Sequence, residues 1–302
     1  MAFLRTKDLL VKHSLSFPSF HQLNEKELGV LQDYLTGILR DVLSFCKNEG
    51  LRVMLAYGSA LGAYRHSGFI PWDDDIDLFM PKRDYIEFIN EFPKQFGERY
   101  YVTSPLLGGY TTCLFGKVID KKSKFISIGG TDNDYAGVFV DIFPLENMPN
   151  NRCLRFLIKY LSWLLIYITG SIVEYQSKSE TYKSFVNSSI ELKINHKIRS
   201  FLGFMFSFIS IDKWGRVFDW LVSYKKDTGY IHAPTGDYAW CMRDKNVYFP
   251  VKVLEFNGLS VPVPGDITKY LEIEFGKDYM ELPPVEKRWR HPIQKFEILN
   301  ND

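Results

Sequence analysis

Cysteine is scarce in the chain: Cys46, Cys113, Cys153 and Cys241 are spread through 302 residues and form no CxxC pair. That excludes a zinc knuckle and a disulfide framework, and it suits a reducing cytoplasm. A surplus of one charge is lacking too, since 37 Lys and Arg face 36 Asp and Glu, for a formal net charge of +1. A general nucleic-acid binder held by phosphate neutralisation is therefore not expected, although local basic groups could serve one small anion. No GxSxG elbow points to a serine hydrolase, and no repeat or low-complexity linker divides the chain. The opening MAFLRTKDLL has no apolar h-region, so no secretory signal is expected. Uncharged apolar runs are also short. YLSWLLIYITGSIV (160–173) and FLGFMFSFISI (201–211) both fall below the roughly 20 residues of a spanning helix. They read as buried helices or an apolar cap, or as a surface resting on a bilayer.

What the chain does have is apolar and aromatic bulk, 46% and 16% of residues respectively. That is enough for a substantial core in one large domain or two small ones. Residues 24–48 repeat apolar side chains at helical spacing behind an Asn with Glu three positions on, a capping-box start. RVMLAY (52–57) reads as a buried strand turning into a helix at GSALGAYRHSG, and IDLFMP (76–81) as a second strand followed by the helical KRDYIEFINEF. Further strands are expected at 99–104, 111–120 and 137–145, helices from about 151 to 230, and an Asn-Gly hairpin followed by a helix capped at Asp266. The order predicts a mixed α/β sheet flanked by helices. Two parts are expected: a catalytic core over 1–150, and a region over 151–302 whose helical, apolar portion precedes a hairpin and helix that complete the fold. The boundary near 150 is soft, and one continuous domain is the alternative.

The stretch GFIPWDDDIDLFMP crowds Asp73, Asp74, Asp75 and Asp77 into five positions. Each charge there raises the cost of ionising the next, so either the run is an acidic loop facing water or something positive belongs within it. In an extended chain Asp73, Asp75 and Asp77 share one face, about 6.6 Å apart along the strand, and Asp74 takes the other. Oxygen-only ligands of this kind suit magnesium or manganese, not zinc. Asp141, alone among apolar residues in GVFVDIFPL, is costly unless paired or metal-bound. A neighbouring strand presenting it to Asp75 and Asp77 would make a two-metal phosphoryl-transfer centre, whereas a turn-capping Asp is the plainer alternative. Upstream, Gly58 and Ser59 stand where a strand opens into a helix whose free N–H groups can hold a phosphate. Arg65 and His66 follow as further anion partners. An EF-hand fails, because its sixth and twelfth positions counted from Asp73 hold Leu78 and Asp84. A glycosyltransferase DxD would accept Asp75-Ile-Asp77 and is the serious rival.

The run LAYGSALGAYRHSGFIPWDDDIDLFMPKRDY closely resembles the signature of the LicD family, the phosphocholine transferases of bacterial surface polysaccharides. VFVDIFPLENMP and FNGLSVPVPGDITKYLEIEFGKDYMELPP resemble its later blocks, so the likeness covers about 50–150 and 245–285, while 151–240 matches no motif. The resemblance implies a nucleotidyltransferase-type fold with a largely helical insertion. On that pattern Gly58 and Ser59 match the turn, Asp75 and Asp77 the acid pair, Asp141 the third acid and Asp73 an additional acid. The gap between Ser59 and Asp75 is longer than in compact members of that superfamily. The implied chemistry is magnesium- or manganese-dependent transfer of a phosphoryl-alcohol, phosphocholine from CDP-choline foremost, to a sugar hydroxyl, with CMP released. The implied acceptor is a cell-surface glycan, teichoic acid or lipopolysaccharide precursor, free or lipid-linked. Two ions are expected, with Asp141 as proton acceptor and Arg65 and Lys117 offsetting diphosphate charge. A DxD glycosyltransferase or a nucleotidyltransferase proper is the alternative. Trp72, Tyr110, Trp240 and Tyr248 are the aromatic candidates for a choline box. A cytoplasmic protein is expected, touching a membrane through 160–173 and 201–211 if its acceptor is lipid-linked.

Overall fold

Asn24 fixes the start of the first long helix. Its side chain accepts from the N–H groups of Lys26 and Glu27 at 3.0 Å, while Glu27 accepts from the Asn24 N–H, the reciprocal cap the sequence predicts. The computed structural model describes residues 6–14, 16–235, 243–288 and 290–299. In chain order, α1 (Thr6–Ser14) and α2 (Glu25–Glu49) precede β1 (Met54–Leu55), α3 (Tyr57–His66), β2 (Asp77–Pro81) and α4 (Lys82–Phe96). β3 (Tyr100–Thr103), β4 (Gly116–Asp120), β5 (Ser123–Ser127) and β6 (Phe139–Asn147) follow. Four helices come next: α5 (Arg152–Gln176), α6 (Glu180–Asn187), α7 (Ile190–Phe206) and α8 (Ile211–Val222). The chain closes with β7 (Tyr230–His232), β8 (Arg243–Asp244), α9 (Lys245–Tyr248), β9 (Lys252–Phe256), β10 (Leu259–Val263), α10 (Ile267–Phe275) and β11 (Ile293–Ile298).

The main sheet runs β1-β2-β6-β4-β3, extended by β7 and β8 from the end of β6. β2 and β6 are parallel and the other neighbours antiparallel. This is the mixed α/β sheet expected. The β9–β10 hairpin turns at Asn257-Gly258, both at positive φ, as a tight hairpin demands, and Asp266 caps α10 through the Lys269 N–H.

Three readings need correction. The first strand shrinks to Met54–Leu55, because Tyr57 takes φ +40° and turns the chain into α3. The strand read over 111–120 begins at Gly116; before it, Thr111 Oγ1 bonds back to the Cys113 carbonyl in a turn. The charge-free run 160–173 understates its helix. α5 has 25 residues and is long and apolar enough to cross a membrane, and its most apolar 18-residue stretch is only 33% buried. A reading of that run as simply buried is therefore wrong.

One apolar core joins residues 23–145 to 231–293, including Phe256, Val261, Tyr270 and Ile293. The hairpin, α10 and β11 thus pack into the same core as β2 and β6. Smaller clusters serve the helical region: Ile158 with Phe218 and Val222, and Phe20 with Phe185 and Leu192.

Candidate active site

Burial alternates along residues 73–77. Asp73, Asp75 and Asp77 are half-buried while Asp74 and Ile76 are buried, the period-two pattern of an extended chain. Asp77 opens β2 directly beside Asp141 of the parallel strand β6, and Lys117 of β4 lies opposite Asp141 on its other flank. Neighbouring strands stand about 4.8 Å apart, so three elements deliver two acids and a cation to one place. Lys117 Nζ lies 2.5 Å from Asp141 Oδ1 and 3.5 Å from the centroid of the Phe139 ring. An ion pair and a ring face together hold that ammonium in a half-buried position.

The helix side of the site is set by close contacts. Ser59 Oγ accepts from the Asp77 N–H at 3.0 Å, tying the first turn of α3 to the start of β2. A Cβ at Gly58 would approach Asp73 Oδ2 to 3.0 Å, so glycine lets that carboxylate lie against the helix start. The Tyr57 N–H donates to the Tyr270 hydroxyl. Gly58 and Ser59 follow in the same first turn, where N–H groups have no acceptor within the helix.

Distant segments hold the acidic loop. Gln32 of α2 donates to the Asp73 carbonyl at 2.9 Å, and Asn257 of the hairpin donates its N–H to the Ser67 carbonyl. Buried Asp74 accepts from the His291 N–H at 2.8 Å, and His291 Nδ1 lies 2.7 Å from its other oxygen. Ligand atoms of Asp74, Asp75 and His291 all fall within 4.8 Å of one another. His291 was not among the sequence candidates; 217 residues separate it from Asp74, and no local pattern links them.

The electrostatics follow from crowding. Burial lifts Asp75 to about 6, with Asp74 and Asp141 adding to the rise and His291 opposing it. Burial, then Asp75, Asp141 and Asp73, push Asp77 well above the usual carboxylate range, and burial with Asp75 and Asp74 does the same to Asp73. Asp141 is raised by burial despite Lys117, while Lys117 is held up by Asp141 against its own burial.

The other candidates have partners of their own in the structure. Arg65 and His66 end α3, roughly 10 Å along the helix from Gly58. There Arg65 donates to His66 Nε2 and to the carbonyls of Tyr279 and Glu281, so its guanidinium clamps the C-terminal segment. The half-buried Trp72 ring already has the Arg288 guanidinium 5.0 Å from its centroid. Tyr110 is 42% exposed and stacks on Tyr135 at 4.4 Å, beside a cavity of about 540 Å³. Tyr248 as a choline contact is corrected: its ring is 2% exposed and packed against Phe79 and Tyr270 in the core. Trp240 lies outside the described residues. A second cavity, about 520 Å³, sits past the far ends of β2 and β6, lined by Lys82, Glu146 and Lys225 among others, and is not the carboxylate site.

Residues 50–160 match the family model described as LicD/FKTN/FKRP, nucleotidyltransferase domain. The chain is also 26% identical over 262 residues to the lipopolysaccharide cholinephosphotransferase LicD of Haemophilus influenzae, across 85% of this chain and 92% of that protein. The chain is thus similar to the LicD family over that segment, and to one named LicD protein along most of its length. An uncharacterized protein of Rickettsia typhi shares 34% identity over 64 residues, 20% of this chain and 21% of its own. The LicD-family match spans Gly58, the aspartate run, Lys117 and Asp141, and the longer alignment extends the likeness into the helical region.

The donor set fits a hard divalent cation. Asp73, Asp75, Asp77 and Asp141 are half-buried oxygen donors; burial lifts the protonation of all four, and carboxylate neighbours add to the rise of Asp73, Asp75 and Asp77, so a cation among them would relieve that cost. Acids that pair across two strands, beside a lysine and an open helix start, can bind a diphosphate and take a proton from an attacking hydroxyl.

Proposed function

We propose that this LicD-type transferase moves phosphocholine from CDP-choline to a sugar hydroxyl of a lipopolysaccharide-type surface glycan and releases CMP. The observation that carries the reading is the side-by-side register of Asp77 and Asp141, with Lys117 bonded to Asp141. The named activity of the Haemophilus influenzae relative supports the choice of donor group and acceptor class. Magnesium or manganese, held by Asp75, Asp77 and Asp141 with Asp73 beside them, would neutralise the diphosphate and polarise the attacking hydroxyl.

The chain's own groups do the rest. The Gly58 and Ser59 N–H groups, at the positive end of α3, bind the donor's phosphate oxygens. Asp141, kept basic by burial, takes the acceptor hydroxyl's proton as that oxygen bonds to the choline-bearing phosphorus. The bond from this phosphorus to the bridging oxygen breaks, and CMP leaves with that oxygen. Lys117 orients Asp141 and offsets the charge of the departing CMP.

The test is to incubate purified protein with CDP-choline, magnesium and a lipopolysaccharide core oligosaccharide, following CMP and the acceptor's mass. Phosphocholine added to the acceptor with CMP in equal amount supports the reading. Cytidine transferred to the acceptor, or a sugar transferred from UDP-glucose, would sink it.

A further inference from the structure

Apolar side chains gather on the outside of the helical region. Of the 28 large hydrophobics exposed among the described residues, 17 lie between 154 and 220. Monomeric soluble proteins rarely present such a concentration without a partner. On α5, Phe156, Tyr160, Trp163 and Leu164 are 62, 51, 48 and 45% exposed. On α7, exposed Ile190, Ile194, Ile198, Phe201 and Met205 recur every three or four residues, so they form one stripe along the helix. On α8, Trp220 is 79% exposed.

Charge says what covers this face. Residues 152–226 hold twelve Lys and Arg against five Asp and Glu, a net +7 in a chain whose total is +1. All five acids are already matched: Glu174 to Arg199, Glu180 to Lys183, Glu191 to Lys12, Asp212 to Arg216 and Asp219 to Lys82. Lys193 and Lys197, exposed beside the α7 stripe, and Lys213 at the start of α8 meet no carboxylate among the described residues. Exposed rings and aliphatics flanked by unmatched lysines suit an interface that is apolar within and anionic at its rim. A second copy would bring another +7 face against the first, so charge argues against self-association here. Crossing the bilayer would strip α5 from its partners, because Ile158 packs on Phe218, Glu174 is paired with Arg199, and Gly203 of α7 lies against Ser171.

We propose that α5, α7 and α8 form a face that lies on the surface of an anionic lipid bilayer, seating the enzyme beside a membrane without spanning it. This does not rest on the phosphocholine reading, since its evidence lies outside the carboxylate site.

Vesicle flotation tests it, with phosphatidylcholine alone and with equal parts phosphatidylcholine and phosphatidylglycerol, at low and high salt. Wild-type protein is expected to float with the anionic vesicles and less so as salt rises. The pairs Trp163→Asp with Leu164→Asp, and Phe201→Asp with Phe204→Asp, are expected to reduce flotation by roughly tenfold or more. Lys193→Glu with Lys197→Glu is expected to weaken binding to the anionic vesicles alone. Because these side chains are exposed, melting temperatures should be unchanged, and circular dichroism checks that each variant is folded. Wild-type protein left at the bottom of the gradient with both vesicle types overturns the proposal. A stable dimer in sedimentation, made monomeric by the same aspartate pairs, overturns it in favour of a second copy.

Discussion

Asp77 and Asp141 stand side by side on neighbouring strands, and removing one charge separates chemistry from folding. Asp77→Asn is expected to lower turnover by about 10³-fold or more. Its melting temperature without metal should hold or rise, because a repelling charge is gone. A clear fall in that temperature would instead make Asp77 part of the framework. The pH response carries the same signature. Metal-free folded protein keeps a proton on Asp75 up to about pH 6, whereas an unfolded chain releases it near 3.9. The associated stability is complete below about pH 4 and is lost as pH rises through 6. His232, which burial holds at about 3, works the other way, its contribution fading as pH falls below about 6.5. The difference between wild type and Asp75→Asn isolates the carboxylate. The wild type's relative melting temperature should rise from about pH 7 to pH 5 without metal, and the rise should vanish with magnesium. Most of this site was legible because alternation in an extended chain is a local property. The pairing of His291 with Asp74 was not legible, because only the fold brings them together. Nor could an aromatic-rich composition tell buried Tyr248 from exposed Tyr110.

Local signals likewise decided which elements could be read. The Asn24 capping box, the Asn257-Gly258 turn and the Asp266 cap each depend on a few adjacent residues, and the structure shows all three. β5 and β11 are not legible, since SKFIS and IQKFEI mix charges with apolar residues and pair with each other from far apart in sequence. Helix was legible from about 151, but the charge-free run 160–173 understates α5, because Arg152, Arg155 and Lys159 belong to the same 25-residue helix. Its packing on α7 requires a side chain smaller than alanine's at Gly203, where a Cβ would fall 2.2 Å from the Ser171 carbonyl oxygen. Gly203→Ala is expected to cost about 1–3 kcal/mol in thermal or chemical unfolding, with CDP-choline affinity little changed. An equal loss of nucleotide affinity would mean that the helical region shapes the donor site.

Across the whole molecule, the acidic loop is held by parts far apart in sequence: Gln32 of α2, Asn257 of the hairpin and His291 before β11. The hairpin and C-terminal elements share one core with the first 145 residues. A sequence break near 150 therefore marks where the helical region begins, and the later elements return to the site. His291→Ala should leave buried Asp74 with only the backbone donor among the described residues, lowering stability by about 1–3 kcal/mol and weakening metal-dependent nucleotide binding along with it. Stability lost with full nucleotide affinity retained would confine His291 to the framework. The central claim is tested most directly by isothermal titration with CDP-choline, with and without magnesium, against CDP-ribitol, CDP-glycerol, UDP-glucose and ATP. Magnesium-dependent binding of CDP-choline in preference to the others is the predicted result. Binding of UDP-glucose alone, or CDP-choline binding indifferent to magnesium, would contradict it.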